Sequence, residues 1–399
     1  MRLRNPTAVG WLVLVPVLAL TVLGLIAIFA CDYVQHDGDM EFFARQVIYA
    51  LAGVAAMLAT TAVPYQKLGR WSYPLFAVML VLLGLLVADR WINLPLIPSI
   101  RGTRRWIRLP GFQVQPAELT KIAYILALAW YLRFRRTVRR LGGLVGPFVL
   151  TLVPMALILV EPDLGTVLLL LPVLMVMLFA AGARRQHLGV IVLLGLASMP
   201  AFYFSPLMKE YQRDRIRVLF RQGEDDRRWL ANQGYQLYQS KVALGSGGLT
   251  GQPLLEGAYV RYDFLPDRHN DFIFSVVAHQ WGFVGSLAVV LCFGLIVAAG
   301  IEIATLTNDP FGRLLVVGVV GLLSAQALIN IGMTCGLMPI TGMTLPFVSF
   351  GGSSLLTNFI AVGLLINVAQ RRPVLIGHKP FEYHEPAGVG REAQAGAFR

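Results

Sequence analysis

The sequence predicts an all-α polytopic membrane protein of about ten spans, with a long extracytoplasmic loop between spans 7 and 8.

 Three observations carry that prediction. Of the 399 residues, 56% are hydrophobic and only 14% are charged, and the mean hydropathy is +0.64, well outside the range of soluble globular domains. Apolar stretches near the ~20 residues needed to cross a ~30 Å hydrocarbon core recur along most of the chain. Backbone in lipid finds no water to bond, so each stretch must satisfy its own N–H and C=O groups, which a helix does.

The spans fall at roughly 9–31, 44–63, 73–89, 115–134, 143–161, 164–182, 187–206, 271–300, 311–334 and 352–370. The first follows a short basic start, but its apolar run is too long for a secretory signal and no small-x-small cleavage site follows, so it reads as a retained anchor. An even number of spans puts both termini on one side. The positive-inside rule makes that side the cytoplasm, because Arg2, Arg4, Lys67, Arg70, the run from Arg133 to Arg140, Arg184, Arg185, Arg371 and Arg372 all fall there. The acidic segment with Asp32, Asp37, Asp39 and Glu41 falls outside. Residues 1–372 read as a single transmembrane domain with 207–270 as its large loop, and the polar stretch 373–399 reads as a disordered cytoplasmic tail. The expected location is a membrane crossed many times, with both termini in the cytoplasm.

The remaining composition excludes several classes. Cys31, Cys292 and Cys335 are odd in number and far apart, without disulfide or metal-ligand spacing. The net charge of +12 lies between spans and not on a soluble domain, so it does not imply nucleic acid. No internal repeat is evident, which weighs against a secondary transporter.

Two exterior segments break the charge rule. Residues 90–114 carry Arg90, Arg101, Arg104, Arg105 and Arg108, and residues 207–270 carry ten Lys or Arg against eight Asp or Glu. Long loops translocate largely regardless of charge, so the shorter segment is the better clue. Either lipid headgroups or an anionic ligand accounts for it, and arginine suits phosphate because its planar fork makes two parallel charge-assisted bonds. Trp106 beside these arginines is by default an interface-belt aromatic.

Charge within or beside a span needs a reason, since an ionisable group at the bilayer centre costs roughly 2.5–3.5 kcal/mol on insertion scales. Glu118 and Lys121 are three apart and share a helix face, as a self-neutralising pair or as the wall of a polar cavity. Asp163, in EPDLGT, can cap the next helix and still face a cavity. Asp271 ends the long loop in FLPDRHNDFIFSVVAHQWG and opens an apolar span, as a cap or as a functional carboxylate at the exterior surface. His269 and Asp271 have no recognised metal-ligand spacing, so no metal site is assigned. The glycine-rich pieces at 243–253 and 349–356 lack the Lys-Ser/Thr of a phosphate loop and read first as tight turns.

Together the motifs resemble the SEDS family (shape, elongation, division and sporulation). The resemblance is carried by GTRRWIRLPGFQVQPAELTK at 102–121, EPDLGT at 161–166, GYQLYQSKVALGSGGLTGQ at 234–252, FLPDRHNDFIFSVVAHQWGFVG at 264–285 and NIGMTCGLMPITGMTLPFVSFGGSSLL at 330–356. PITG at 339–342 and the short stretch before the first span look more like the RodA branch than the FtsW branch. The resemblance implies a peptidoglycan glycosyltransferase that polymerises lipid II on the outer face of the cytoplasmic membrane, for cell elongation if the RodA likeness holds. It implies Asp271 as the catalytic aspartate, Glu118, Lys121 and Asp163 as polar cavity residues, and Arg101, Arg105 and Trp106 as an exterior substrate-binding element. It implies a class B penicillin-binding transpeptidase as partner, with MreC and MreD for the RodA branch, and leaves room for a divalent cation (Mg or Mn) without requiring a cofactor. His279 and Gln280 stand where many relatives have acids, and Ala117 where serine is common.

The chemistry expected of such a site is an inverting displacement, which needs a base for the acceptor hydroxyl and stabilisation of the departing pyrophosphate. Pyrophosphate leaves well, so a second carboxylic acid of the kind glycoside hydrolases use is unnecessary. A lipid II flippase, an FtsW-like division polymerase and a scaffold that only recruits the transpeptidase are the competing readings.

Overall fold

The computed structural model describes residues 6–35, 40–92, 95–99, 103–109, 112–205, 208–222, 234–253, 255, 257, 265 and 268–371. Arg101 and the tail 373–399 lie outside the described residues.

Ten long helices stand at the ten places predicted. They are α1 (Pro6–Gln35), α2 (Glu41–Ala62), α4 (Ser72–Ile92), α5 (Pro116–Leu132), α6 (Val145–Val160), α7 (Leu164–Ala180), α8 (Arg185–Phe204), α11 (Ile273–Leu306), α12 (Pro310–Thr334) and α13 (Gly352–Gln370). Among the described residues, seven helices are long and apolar enough to cross a membrane by length and composition, and α7 is a shorter apolar helix. A short α3 (Tyr65–Arg70) joins α2 to α4. Among its described residues the predicted long loop contains the helices α9 (Glu210–Phe220) and α10 (Tyr235–Ser246). Strands β1 (Ile107–Leu109) and β2 (Phe112–Val114) pair antiparallel, with Ile107 opposite Val114.

The helices begin and stop for local reasons. Pro116 stands in the first turn of α5, where a missing N–H loses no helix bond. Asp309 caps α12 by accepting from the N–H groups of Phe311 and Gly312 at 3.3 and 3.2 Å. The centre of the bundle is α12 and α13, whose residues are buried all round. A helix apolar on every face belongs in such a core. Around them α2 packs most extensively on α13, while α7, α11 and α5 pack on α12. By contrast α8 is exposed along nearly all of 189–200, faces that meet acyl chains in a bilayer.

The helix α11 is not the uninterrupted span expected of 271–300. It breaks at Gly282 (φ 62°, ψ −154°), a backbone region open in practice to glycine. The break receives the glycine-rich turn after α10: Phe283 N–H donates to Gly248 O (2.9 Å), Val284 N–H to Leu249 O (3.2 Å) and Gln252 N–H to His279 O (3.0 Å). A Cβ on Gly251 (φ 88°) would lie 2.1 Å from the Gln280 carbonyl oxygen. Gly247 and Gly251 thus serve backbone-to-backbone contact. Gly251→Ala is expected to lower stability by more than about 1 kcal/mol, read as a drop in the thermal unfolding midpoint of the purified protein.

A second, smaller core fixes the long loop to the bundle. It joins Val218 of α9, Leu237 and Ala243 of α10, Leu265, Phe272, Met333 of α12 and Ile340. Hydrogen bonds reinforce it. Ser240 donates to Thr334 O (2.9 Å) and shares a hydrogen with Ser275 (2.7 Å), and Gln222 donates to Gly336 O (2.7 Å). The described residues of the segment read from sequence as a loop thus fold onto one end of the bundle as a cap.

Candidate active site

At that end, the segment 335–351 lies under the cap and brings the sequence-predicted residues near one another. Asp271 stands two residues before α11, whose N-cap is Phe272 with no side-chain cap bond. The N-cap position thus falls to Phe272 and not to Asp271. Its main chain is pinned instead, because the fully buried Asn330 donates its amide to Asp271 O (2.9 Å) and to Met343 O (2.6 Å). Just upstream, the His269 ring stacks on Phe42 with centroids 4.9 Å apart, and Phe350 N–H donates to His269 O at 2.9 Å. Backbone held on both sides gives the carboxylate a fixed place, the preorganisation that electrostatic catalysis needs.

Asp271 Oδ2 lies 3.4 Å from the point where Gly342 would carry a Cβ. The two terminal nitrogens of Arg215, on α9, lie 3.7 and 4.0 Å from the same point. Gly342 itself has φ 72°, a left-handed conformation that glycine adopts without strain. A carboxylate and a guanidinium therefore meet over a bare stretch of main chain. Sequence reasoning passed over Arg215, although its alternation with Arg213 and Arg217 on a helix carried a signal. Arg213 donates to Ser205 O (2.8 Å), and Arg217 pairs with Glu210 (3.1 Å) and Asp214 (3.0 Å). Residues four apart share a helix face, so Arg215 points elsewhere, close to the face of Val218 in the small core.

Glu118 and Lys121 form an ion pair, Nζ to Oε2 2.6 Å, with side chains 11% and 2% exposed. Asp163 caps α7, accepting from Thr166 N–H at 3.2 Å and from the Thr166 hydroxyl at 3.0 Å. It also accepts from the Gln115 amide at 3.1 Å, while Gln115 N–H donates to Ser353 Oγ at 3.1 Å. Gln115 thereby ties the starts of α5, α7 and α13 together. Gly165, in the first turn of α7, packs against Met343 and the Thr341 carbonyl, so Asp163 and Asp271 flank the same 341–343 segment.

Two arginines of 90–114, Arg104 and Arg105, have protein partners. Arg105 donates to the carbonyls of Glu161 (2.6 Å) and Pro162 (2.7 Å), clamping the α6–α7 turn. A cation there also suits the negative end of α6. Arg104 pairs with the fully buried Asp89 at 2.9 Å. Trp106 is half-buried beside them. Much of the charge anomaly in 90–114 is thus structural, and both arginines hold helix ends in register. His279 and Gln280 lie away from Asp271, at the α11 break, where His279 Nδ1 bonds the Ser246 hydroxyl at 2.8 Å. Their departure from the acidic pattern therefore falls on the packing of the glycine-rich turn.

Among the described residues no three His, Cys, Asp or Glu side chains gather closely enough to hold a metal ion. The group brought beside Asp271 is a guanidinium and not a further carboxylate, a poor donor set for a divalent cation. No step below runs through a resident metal.

Comparison with known proteins places these motifs. Residues 11–373 match the family model for FtsW, RodA and SpoVE, described as cell cycle proteins. The chain is 38% identical to the "Probable peptidoglycan glycosyltransferase FtsW" of Geobacter metallireducens, over 90% of this chain and 94% of that one. It is 32% identical to the "Peptidoglycan glycosyltransferase MrdB" of Escherichia coli, over 90% and 94% of the two chains. A solved structure described as "Structural coordination of polymerization and crosslinking by a peptidoglycan synthase complex" superposes with a TM-score of 0.75 at 30% identity, covering 91% of this chain and 98% of that one. The crystal structure of the rod shape determining protein RodA of Thermus thermophilus gives 0.67 at 28% identity, covering 91% and 97%. The RodA likeness drawn from PITG is not what the identities favour, since 38% to an FtsW exceeds the 30% to the RodA of Treponema pallidum. With a match running from the first span to the last, the chain belongs to the FtsW, RodA and SpoVE family, the SEDS proteins.

Proposed function

We propose that this protein is a peptidoglycan glycosyltransferase that polymerises lipid II at the outer face of the cytoplasmic membrane, with both termini in the cytoplasm. The observation that carries the reading is Asp271, pinned by Asn330 through its carbonyl and set beside a guanidinium at the bare Gly342. The Asp271 carboxylate takes the proton of the acceptor 4-hydroxyl, the new glycosidic C–O bond forms with inversion, and the anomeric C–O bond to pyrophosphate breaks. Relatives that are named peptidoglycan glycosyltransferases support the same chemistry.

For the cellular role, the greater identity to FtsW proteins favours a division-type polymerase over the elongation role first expected. The partner expected is a class B penicillin-binding transpeptidase, a reading supported by the likeness to a structure of a peptidoglycan synthase complex. MreC and MreD belong only to the elongation alternative. A flippase is the weaker reading, because Glu118 and Lys121 neutralise each other and Asp163 serves as a cap, leaving these charges no need of a transported ligand.

The test is glycan polymerisation from labelled lipid II by the purified protein, with and without its cognate transpeptidase. Polymer is expected in the presence of the partner. Movement of lipid II across reconstituted vesicles with no polymer would support the flippase instead.

A further inference from the structure

We propose that Arg215 is a second catalytic residue, contacting the lipid-linked pyrophosphate and taking up its charge as the bond to the sugar breaks. The inference rests on the reading of Asp271 as the centre of transfer. A carboxylate base working beside a pyrophosphate faces like-charge repulsion, which raises the energy of the very arrangement the reaction needs. A cation at the same point removes that obstacle. Arg215 is the cation the fold puts there, its terminal nitrogens and Asp271 Oδ2 all lying within 4.0 Å of one position over Gly342.

The fold places Arg215 by three independent means. Val218, one turn along α9, is anchored in the small core with Met333 and Phe272. Gln222, just past the end of α9, is bonded to Gly336 O. Arg213 and Arg217 tether the opposite face to Ser205 and to acids of α9 itself. Arg215 is partly exposed, so it reaches a ligand without being committed to the membrane core. The exterior arginines Arg104 and Arg105, by comparison, are engaged in holding helix ends.

In the step itself, the acceptor hydroxyl proton passes to Asp271 and the oxygen bonds the anomeric carbon. The electron pair of the breaking C–O bond leaves on the pyrophosphate, whose oxygens accept from the Arg215 N–H groups. A planar fork can meet two oxygens at once, which an ammonium cannot, so lysine substitutes poorly.

The experiment uses the full-length protein with its transpeptidase partner and has two arms. In the first, initial polymerisation rates from lipid II are measured across a pH series for wild type, Arg215→Lys and Arg215→Gln. Arg215→Gln is expected to lose about 10²- to 10³-fold in kcat, with Arg215→Lys between, and the acidic limb of the pH profile should stay in place. In the second, equilibrium binding of undecaprenyl pyrophosphate and of undecaprenyl monophosphate is compared for wild type, Arg215→Gln and Asp271→Asn, each with an unchanged thermal midpoint. Arg215→Gln should weaken pyrophosphate binding at least tenfold, while Asp271→Asn binds as tightly as wild type or more so. Unchanged pyrophosphate binding by Arg215→Gln overturns the proposal, and so does a rate loss accompanied by a shifted acidic limb, which would make Arg215 a positioning residue for the carboxylate. Normal polymerisation by Asp271→Asn would sink the base assignment alone, because the binding arm does not depend on it.

Discussion

Asp271→Asn is expected to lower the rate of glycan polymerisation by about 10²- to 10⁴-fold, the usual contribution of a positioned general base. The carboxamide has the shape of the carboxylate but cannot take up a proton at neutral pH. Structural loss should not accompany the effect. Asn330 holds the residue through its main-chain carbonyl, which the substitution keeps, and the N-cap of α11 is Phe272. The check is the initial rate from labelled lipid II together with the thermal midpoint. A variant that melts like wild type and polymerises at a third of its rate or better would remove Asp271 from the chemistry.

The second large effect concerns stability. Lys121→Ala leaves Glu118 charged and enclosed with no partner at 2.6 Å, and breaking a buried pair by removing one member costs roughly 3–5 kcal/mol. The double variant Glu118→Gln, Lys121→Met removes both charges and should recover most of that loss, since a buried ion pair is often no more stabilising than an apolar replacement. Thermal unfolding of Glu118→Gln, Lys121→Met and the double variant forms a cycle that isolates the pair. If the double variant is folded yet fails to polymerise, the pair also lines the substrate cavity. If it polymerises normally, the pair is structural. Either result leaves the Asp271 prediction untouched.

The ten spans were legible because lipid imposes one length and one composition on every crossing, and α13 at Gly352–Gln370 falls where its apolar run does. Asp163 was legible too, because a cap is a local device spanning three residues. What escaped depends on distant chain. Gly282 looks like any membrane-helix glycine until the turn at 247–251, some thirty residues earlier, is seen to press on it. Arg215 is one basic residue among ten in its segment, and it comes to Asp271 through the packing of α9 onto distant chain, with Val218 in the small core beside Met333 and Phe272. The hairpin at 107–114 has three-residue strands, too short for a period-two pattern to register. PITG points to the RodA branch while identity along the whole chain is greater to FtsW proteins, and four residues weigh less than a whole chain.

The partnership of α2 with α13 bears on how the protein is made. Gln46 near the start of α2 donates to Ser349 O at 3.0 Å and accepts from Gly351 N–H at 3.2 Å. At the other end, Asn367 donates to the carbonyls of Thr60 and Val63 at 2.6 and 2.5 Å. Each of these bonds joins residues more than 300 positions apart. A helix that leaves the ribosome early must therefore wait, its glutamine without a mate, until the last span has been synthesised and released. An unsatisfied polar group in hydrocarbon is costly, so the waiting intermediate is the vulnerable species in biogenesis. Chains cut short before α13 are the natural targets of membrane quality control, and insertase or chaperone dependence should end when the final helix arrives.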